Sequence, residues 1–337
     1  MTDLHCKYFS DLGEPSLKVI TYRNYGPPEV LKLEEWEIPI PKSKQIRIRI
    51  VKTAVNSGDW RVRKPDPQIA RLYFGLFKPK NPILGLSYSG VVDAIGEGVT
   101  SFQVGEKVLG SKGIKMGAYA EYTIVDENSL IIKLPDRMSF AEGAGISFGG
   151  LTALDFINRC QIQNNQKVVI YGASSSVGSS AIQLAKHLGA HVTAVCSKAN
   201  FELVKSLGAN ETFDYETFFA DSNQNLYDVF YECVGKTEIK SNLKYLKKNG
   251  NLVLVGATFR QMFQALFLKL IKRLNVHFGP IEETLENLKF LVSLVNLGKY
   301  KVNIDRSYPL ERMVDAHRYV EAGHKKGNVV IDVTSER

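Results

Sequence analysis

Cysteine is sparse in this sequence and never clustered. Cys6, Cys160, Cys196 and Cys233 are the only four in 337 residues, and no two are close enough to form a C-x-x-C pair. That spacing excludes a disulfide framework and a cysteine-rich metal lobe, and it suits a reducing compartment. Histidine is scarce as well. His187 and His191 stand four apart, but Gly189-Ala190 between them should end a helix, so they share no face. His5, His277, His317 and His324 are isolated. No apolar run reaches the length of a membrane span. The first residues, MTDLHCKYFSDLGEP, are acidic and polar and contain no apolar signal core. The net charge of +8 is scattered, and no aromatic residues interleave with the basic clusters, so a nucleic-acid module is not expected. These absences predict a soluble, cytoplasmic globular protein with a mildly basic surface.

What is present falls into two styles. Up to about residue 140 the chain reads as short strands between Gly and Pro turns, as in QIRIRIVKTAVN and SGVVDAIGEGV. Such a run predicts a barrel-like domain. Lys64–Pro82, proline-flanked and aromatic, reads as a long loop of the kind that lines sites. From Ser139 onward, strands and helices alternate, beginning with a strand at Lys167–Tyr171, a helix at Val177–Leu188 and a strand at His191–Cys196. The rhythm continues to Leu274 and predicts an α/β, doubly wound parallel sheet. After Val276 the pattern is mixed again, and the final strand NVVIDV is expected to return to the first domain. The predicted organisation is a discontinuous domain of residues 1–140 and 276–337 around a nucleotide-binding domain of residues 141–275.

The stretch VVIYGASSSVG, Val168–Gly178, joins a β-branched run to a helix. In the dinucleotide fingerprint G-x-G-x-x-G the glycines serve the tight turn, the approach of the pyrophosphate and close helix packing. Here those positions are Ala173, Ser175 and Gly178, with Gly172 just before. Ser174, Ser175, Ser176 and Val177 still present backbone amides at a helix N-terminus, and the serine hydroxyls add donors. At the end of the second strand, VTAVCSKANF has no carboxylate to bind ribose hydroxyls. Ser197 and Lys198 stand there instead and suit a 2′-phosphate, so NADPH is expected over NADH.

These residues resemble the medium-chain dehydrogenase/reductase superfamily, and within it the zinc-free quinone oxidoreductase branch. AVNSGDWRVR, PILGLSYSGVVDAIGEGVTSFQVGEKV, GAYAEYTIV, GLTALDFI, YDVFYECVG and GHKKGNVVIDV carry the likeness over nearly the whole chain. The resemblance implies a GroES-like β-barrel catalytic domain with a Rossmann domain inserted, NADPH in the cleft between them, a homodimer, and hydride transfer to quinones or α,β-unsaturated carbonyls. The positions that match zinc ligands in other branches are Asn56, Gly85-Leu86-Ser87 and Phe148, so no metal is expected. The resemblance places Thr152 near the nicotinamide and Tyr215 near the adenosine phosphate. Gly256 and Phe278 stand at later strand ends, where the cofactor cleft should open. It also puts a tyrosine at the position of Arg61 and glycines at Ser175 and Ser176.

A quinone needs a hydrogen bond to its developing oxyanion and a proton that water can supply. Asn56, whose amide can donate to a carbonyl oxygen, is the first candidate. Asp59 either holds the loop or pairs with Arg61 or Arg63. Tyr73 and Tyr88 are candidate acids. In QMFQALFLKLIKRL, Phe263, Leu266, Phe267, Leu270 and Leu274 share one helical face, with Lys269, Lys272 and Arg273 on another. The face is expected to cover the sheet or a dimer partner, with a membrane surface as the alternative. A 2-enoyl thioester reductase and a catalytically weak NADPH-binding sensor or scaffold are the other readings this sequence leaves open.

Overall fold

The computed structural model describes residues 16–220 and 226–335. His5, Cys6 and the polar N-terminal segment lie outside the described residues. The first lobe holds β1 (Ser16–Tyr22), β2 (Leu31–Glu37), β3 (Gln45–Val55), α1 (Ser57–Arg63), α2 (Arg71–Phe74), β4 (Ser87–Ile95), β5 (Lys107–Ser111), β6 (Tyr122–Asp126) and β7 (Ile131–Lys133). In β3 the alternation is plain: Ile46, Ile48 and Ile50 are fully buried, whereas Arg47 and Arg49 lie on the half-exposed face. The segment expected as a loop contains α2 and a 3₁₀ turn at Gln68–Ala70.

α3 (Phe140–Cys160) opens with a capping box: the Ser139 hydroxyl accepts from Glu142 N, and the Glu142 carboxylate accepts from Ser139 N. It packs on β3, β4 and β5 of the first lobe and on the first helix of the second. That second lobe runs β8 (Lys167–Tyr171), α4 (Ser176–His187), β9 (His191–Val195), α5 (Phe201–Ser206), β10 (Glu211–Phe213), α6 (Tyr215–Phe218), β11 (Tyr227–Glu232), α7 (Ile239–Tyr245), β12 (Leu246–Leu254), α8 (Phe259–Leu270) and β13 (Asn275–Phe278). The sheet order is β10-β9-β8-β11-β12-β13, all parallel. Val168, Val169 and Ile170 of β8 are buried on both faces, as a strand covered by helices on each side requires. The order reverses direction between β8 and β11, and in such sheets ligands bind outside the carboxyl ends of the strands at this switch point. The sheet runs to Phe278, so a boundary between residues 275 and 276 would cut its last strand.

The chain then forms α9 (Leu285–Asn296), β14 (Ile304–Pro309), α10 (Met313–Glu321) and β15 (Asn328–Asp332). β15 lies antiparallel to β3, with Val329 opposite Val55, so the C-terminal strand does return to the first lobe. Among the described residues no helix is long and apolar enough to cross a membrane.

α8 departs from the first of its two expected placements, the apolar face against the sheet. Gln261 and Ala265 are its buried residues, with the Gln261 side-chain amide donating to the Thr237 carbonyl. Phe263, Leu266, Phe267 and Leu270 are turned outward, each more than two-fifths exposed. The side with Gln261, Met262, Ala265 and Leu268 meets the fold, as does Leu274 beyond the helix, and the Phe263, Leu266, Phe267 and Leu270 side does not cover the sheet.

Candidate functional site

The carboxyl end of β8 leads directly into the Gly172–Gly178 turn. Gly172 has φ +84°, a left-handed conformation that favours glycine. A Cβ on Gly178 would come within 2.8 Å of the Ala173 Cα and closer still to the Gly172 carbonyl oxygen. This glycine therefore does what the third glycine of the fingerprint does: α4 begins hard against its own strand. Ser175 caps α4, its hydroxyl accepting from Gly178 N at 3.0 Å. The turn keeps its shape with serines at its middle, and the N-terminus of α4 faces the switch point. It fits an anionic group.

At the end of β9, Ser197 and Lys198 are exposed. The side-chain amide of Asn200 donates to Ser174 Oγ at 3.0 Å and to Ser197 Oγ at 3.3 Å. Sequence reasoning did not single out Asn200, because its contacts span two loops. It also missed Asp214. This carboxylate arrives from the end of β10, paired beside β9, and accepts from the backbone N of Lys198 at 3.1 Å and of Glu216 at 3.0 Å. Tyr215 follows at the start of α6, its ring tilted over Tyr171 with centroids 4.9 Å apart. Burial raises the pKa of its hydroxyl.

On the other side of the switch point, Glu232 ends β11 and is fully buried, its carboxylate accepting from Val234 N and Gly235 N. Desolvation pushes its pKa up against these hydrogen bonds and the nearby Arg61 charge. Gly256, after β12, packs its carbonyl on Gly235 and accepts from Arg61 Nη2 at 3.2 Å. Arg61 therefore spans from α1 in the first lobe to a strand end of the second. The Phe278 carbonyl accepts from Arg159 at the end of α3.

The three positions compared with zinc ligands do converge. A Cβ on Gly58 would meet Leu86 Cδ1 at 2.8 Å and Phe148 Cε2 at 3.2 Å. The space between α1, the Gly85–Ser87 segment and α3 is thus filled by apolar side chains, with Asn56 alongside at the N-cap of α1. Thr152, one turn beyond Phe148 on α3, is buried. Asn56 is also fully buried; its Nδ2 is 3.5 Å from the Ala54 carbonyl, and its Oδ1 makes no close hydrogen bond among the described residues.

Asp59 pairs with neither Arg61 nor Arg63. Its carboxylate accepts from Asn56 N at 2.7 Å, Gly85 N at 3.1 Å and the Tyr119 hydroxyl, tying the helix to the Gly85 turn. Burial raises its pKa to about 7. Arg63 pairs with Glu321.

The two candidate tyrosines differ in setting. Tyr88 is fully buried in the barrel core with Ile46, Ile48 and Val108, and its hydroxyl abuts Gly110 without a partner. Its pKa is raised by desolvation. An inward position on β4 explains this placement, and it takes Tyr88 away from the cleft. Tyr73 lies on the exposed α2, edge-on to Phe74. Asn56 caps α1, whose Arg61 reaches Gly256 of the second lobe; Tyr88 is sealed in the barrel core, and Tyr73 stays exposed on α2.

Known proteins share this architecture. Residues 42–136 match the alcohol dehydrogenase GroES-like domain and residues 207–331 the zinc-binding dehydrogenase family. The chain is 30% identical to the chloroplast envelope quinone oxidoreductase homolog of Arabidopsis thaliana, covering 94% of this chain and 98% of that protein. It is also 30% identical to the chloroplastic NADPH-dependent alkenal/one oxidoreductase of the same plant, covering 94% and 79% respectively. The quinone oxidoreductase structure from Coxiella burnetii superposes with a TM-score of 0.85 at 28% identity, over 95% of this chain and all of that one. With Asn, Leu and Phe where the metal branches carry ligands, the chain is an oxidoreductase and belongs to the zinc-free quinone oxidoreductase branch of the medium-chain dehydrogenase/reductase superfamily.

Proposed function

We propose that the protein is an NADPH-dependent reductase that delivers hydride to quinones or α,β-unsaturated carbonyls without a metal. The observation that carries the cofactor choice is the Ser174–Asn200–Ser197 bridge beside Lys198. Because Asn200 donates to both serines, each hydroxyl proton is left to point at an acceptor, and a 2′-phosphate supplies acceptors and charge for Lys198. Asp214 keeps its negative charge, but each of its oxygens already accepts from a backbone N–H, of Lys198 or of Glu216, rather than standing free for the ribose hydroxyls that an NADH site binds. The named activities of the two plant relatives support the acceptor classes, and one of those names supports NADPH.

The nicotinamide would supply the hydride. The chain's own part is to hold it, with Thr152, the Ala173–Gly178 turn, Tyr215, Gly256 and Phe278 around the cleft. Asn56 would donate to the acceptor oxygen as negative charge develops, and water would return the proton. The partition we adopt keeps the nucleotide-binding lobe between α3 and β13, with the catalytic lobe built from both ends of the chain. The free cysteines Cys160, Cys196 and Cys233 support a reducing, cytoplasmic setting. A homodimer is proposed through the open edge of β13 and the apolar face of α8.

The test is oxidation of NADPH and NADH by chelator-treated protein, without oxygen, against an ortho-quinone, a para-quinone and a small enone. Turnover that favours NADPH and survives the chelator is the expected result. Preference for NADH would overturn the cofactor assignment. NADPH binding without turnover of any acceptor would overturn the reductase assignment in favour of a sensor.

A further inference from the structure

We propose that Lys325 is a cofactor-binding residue whose ammonium, seated at the N-terminus of α4, binds the pyrophosphate of the dinucleotide. The inference rests on the nicotinamide reading above and adds a residue from the opposite end of the chain. Lys325 lies in the loop between α10 and β15, where Gly327 forms a bridge with Ser175 of the turn. Its side chain is 93% buried, as the residue is 7% exposed. Its Nζ donates to Ser176 Oγ at 3.0 Å, and Ser176 is the first residue of α4.

The setting is unfavourable for a lone cation. A helix N-terminus carries partial positive charge and repels an ammonium. Burial removes water, and among the described residues no carboxylate forms an ion pair with Lys325 within 4.0 Å. The two acids whose fields reach it are committed elsewhere. Asp59 of α1 accepts from Asn56 N and Gly85 N. Asp305 of β14 accepts from the Tyr319 hydroxyl and Lys326 N. One of the three ammonium donors is used by Ser176, and two remain. A buried cation, a helix N-terminus and unspent donors at one point are complementary to a pyrophosphate diester, whose one negative charge on each phosphoryl group would satisfy both sources of positive charge together.

Ser176 takes on a purpose in this arrangement. Its hydroxyl is the atom that fixes the ammonium, and a glycine there would leave Lys325 without a partner. Gly149 of α3 permits the approach: a Cβ there would come within 2.7 Å of the Ser176 carbonyl oxygen. Burial lowers the Lys325 pKa to about 8, opposed by Asp59 and Asp305. A bound phosphate favours the charged form, so affinity should weaken as pH rises above about 8.

The experiment is a fluorescence titration of NADPH and NADH, with 2′-AMP as a competitor that lacks the pyrophosphate. It compares the native protein, Lys325→Met and Ser176→Ala. Lys325→Met is expected to weaken both dinucleotides by about tenfold, the loss of one charge-assisted hydrogen bond. Their ratio and the 2′-AMP constant should stay unchanged, and the free protein should melt no lower. Ser176→Ala should weaken both dinucleotides by less. Between pH 6.5 and 9.5 the native dissociation constant should rise and that of Lys325→Met should stay flat. Undiminished binding by Lys325→Met overturns the proposal. So does a loss confined to NADPH, which would make Lys325 a 2′-phosphate ligand, or a loss shared by 2′-AMP with a lower melting point, which would make it a structural clamp. Native protein that binds neither dinucleotide overturns the functional reading itself, and this inference falls with it.

Discussion

The backbone N of Asn56 donates to Asp59 Oδ2 at 2.7 Å, while the side-chain amide oxygen of Asn56 faces Asp59 N loosely and makes no close hydrogen bond among the described residues. The two halves of this residue are therefore separable. Its backbone starts α1 through Asp59. Its side chain is buried, and its Nδ2 contact, to the Ala54 carbonyl, is at the limit of a hydrogen bond.

Asn56→Ala should consequently spare the fold and cost turnover. Truncation removes only the loose cap that the Asn56 side chain offers to Asp59 N, so the melting temperature should fall by no more than a few degrees. If the amide donates to the developing oxyanion, kcat falls by about 10²-fold, the scale of a lost oxyanion donor, with the NADPH dissociation constant unchanged. Stopped-flow hydride transfer and a thermal melt on the same sample decide it. A lower melting point with intact kcat would make Asn56 a structural cap.

Lys198 is exposed, so its charge is screened and its contribution modest. Lys198→Ala should raise KM for NADPH by about fivefold, near 1 kcal/mol, and leave KM for NADH nearly unchanged. Equal effects on both cofactors would remove the 2′-phosphate argument and leave Lys198 as a solvated residue at the start of the 198–200 turn.

The parts that could be read in advance depend on local pattern. β8 and β9 are continuous β-branched runs, and only strands covered on both sides tolerate that. The 172–178 turn is legible because Gly172 and Gly178 answer to backbone geometry within seven residues. Tyr88 was not legible, since an inward aromatic on a barrel strand and one beside a cleft look alike in sequence. α8 was half legible: periodicity fixes which residues share a face, but which side meets the sheet rests on long-range contacts, among them Gln261 to the Thr237 carbonyl and Ala265 in the core. Asp214 reaches Lys198 through the pairing of Phe213 with Val195, and Lys325 reaches Ser176 across 149 positions. Neither contact leaves a mark in any short window.

Asp59 sets a pH dependence of stability. Its pKa is about 7 in the fold against 3.8 for an ordinary aspartate, because desolvation outweighs its hydrogen bonds and the Lys325 field. Below about pH 3 the carboxyl is protonated in both states and costs nothing. As pH rises toward 7 the unfolded chain ionises first, and the native state loses up to about 4 kcal/mol relative to it. Asp59→Asn cannot ionise. Urea unfolding from pH 4 to pH 7 should therefore show the stability difference shifting steadily toward the variant. A difference that is flat over that range would mean that Asp59 is ionised in the fold throughout.

The outward face of α8 bears on assembly. Phe263, Leu266, Phe267 and Leu270 are exposed beside β13, which among the described residues pairs only with β12 and so presents a sheet edge. Edges and apolar faces left together invite a second copy, and a two-fold axis there would satisfy both at once. Phe263→Glu with Phe267→Glu places two carboxylates on each side of such an interface. Light scattering after size exclusion should give a dimer for the native chain and a monomer for the double variant, with the melting temperature of the isolated fold preserved. A native monomer that sediments with anionic vesicles, and loses this with the two glutamates, would transfer the face to a membrane surface, where Lys269, Lys272 and Arg273 would meet the headgroups. A double variant that stays dimeric would move the interface elsewhere on the molecule.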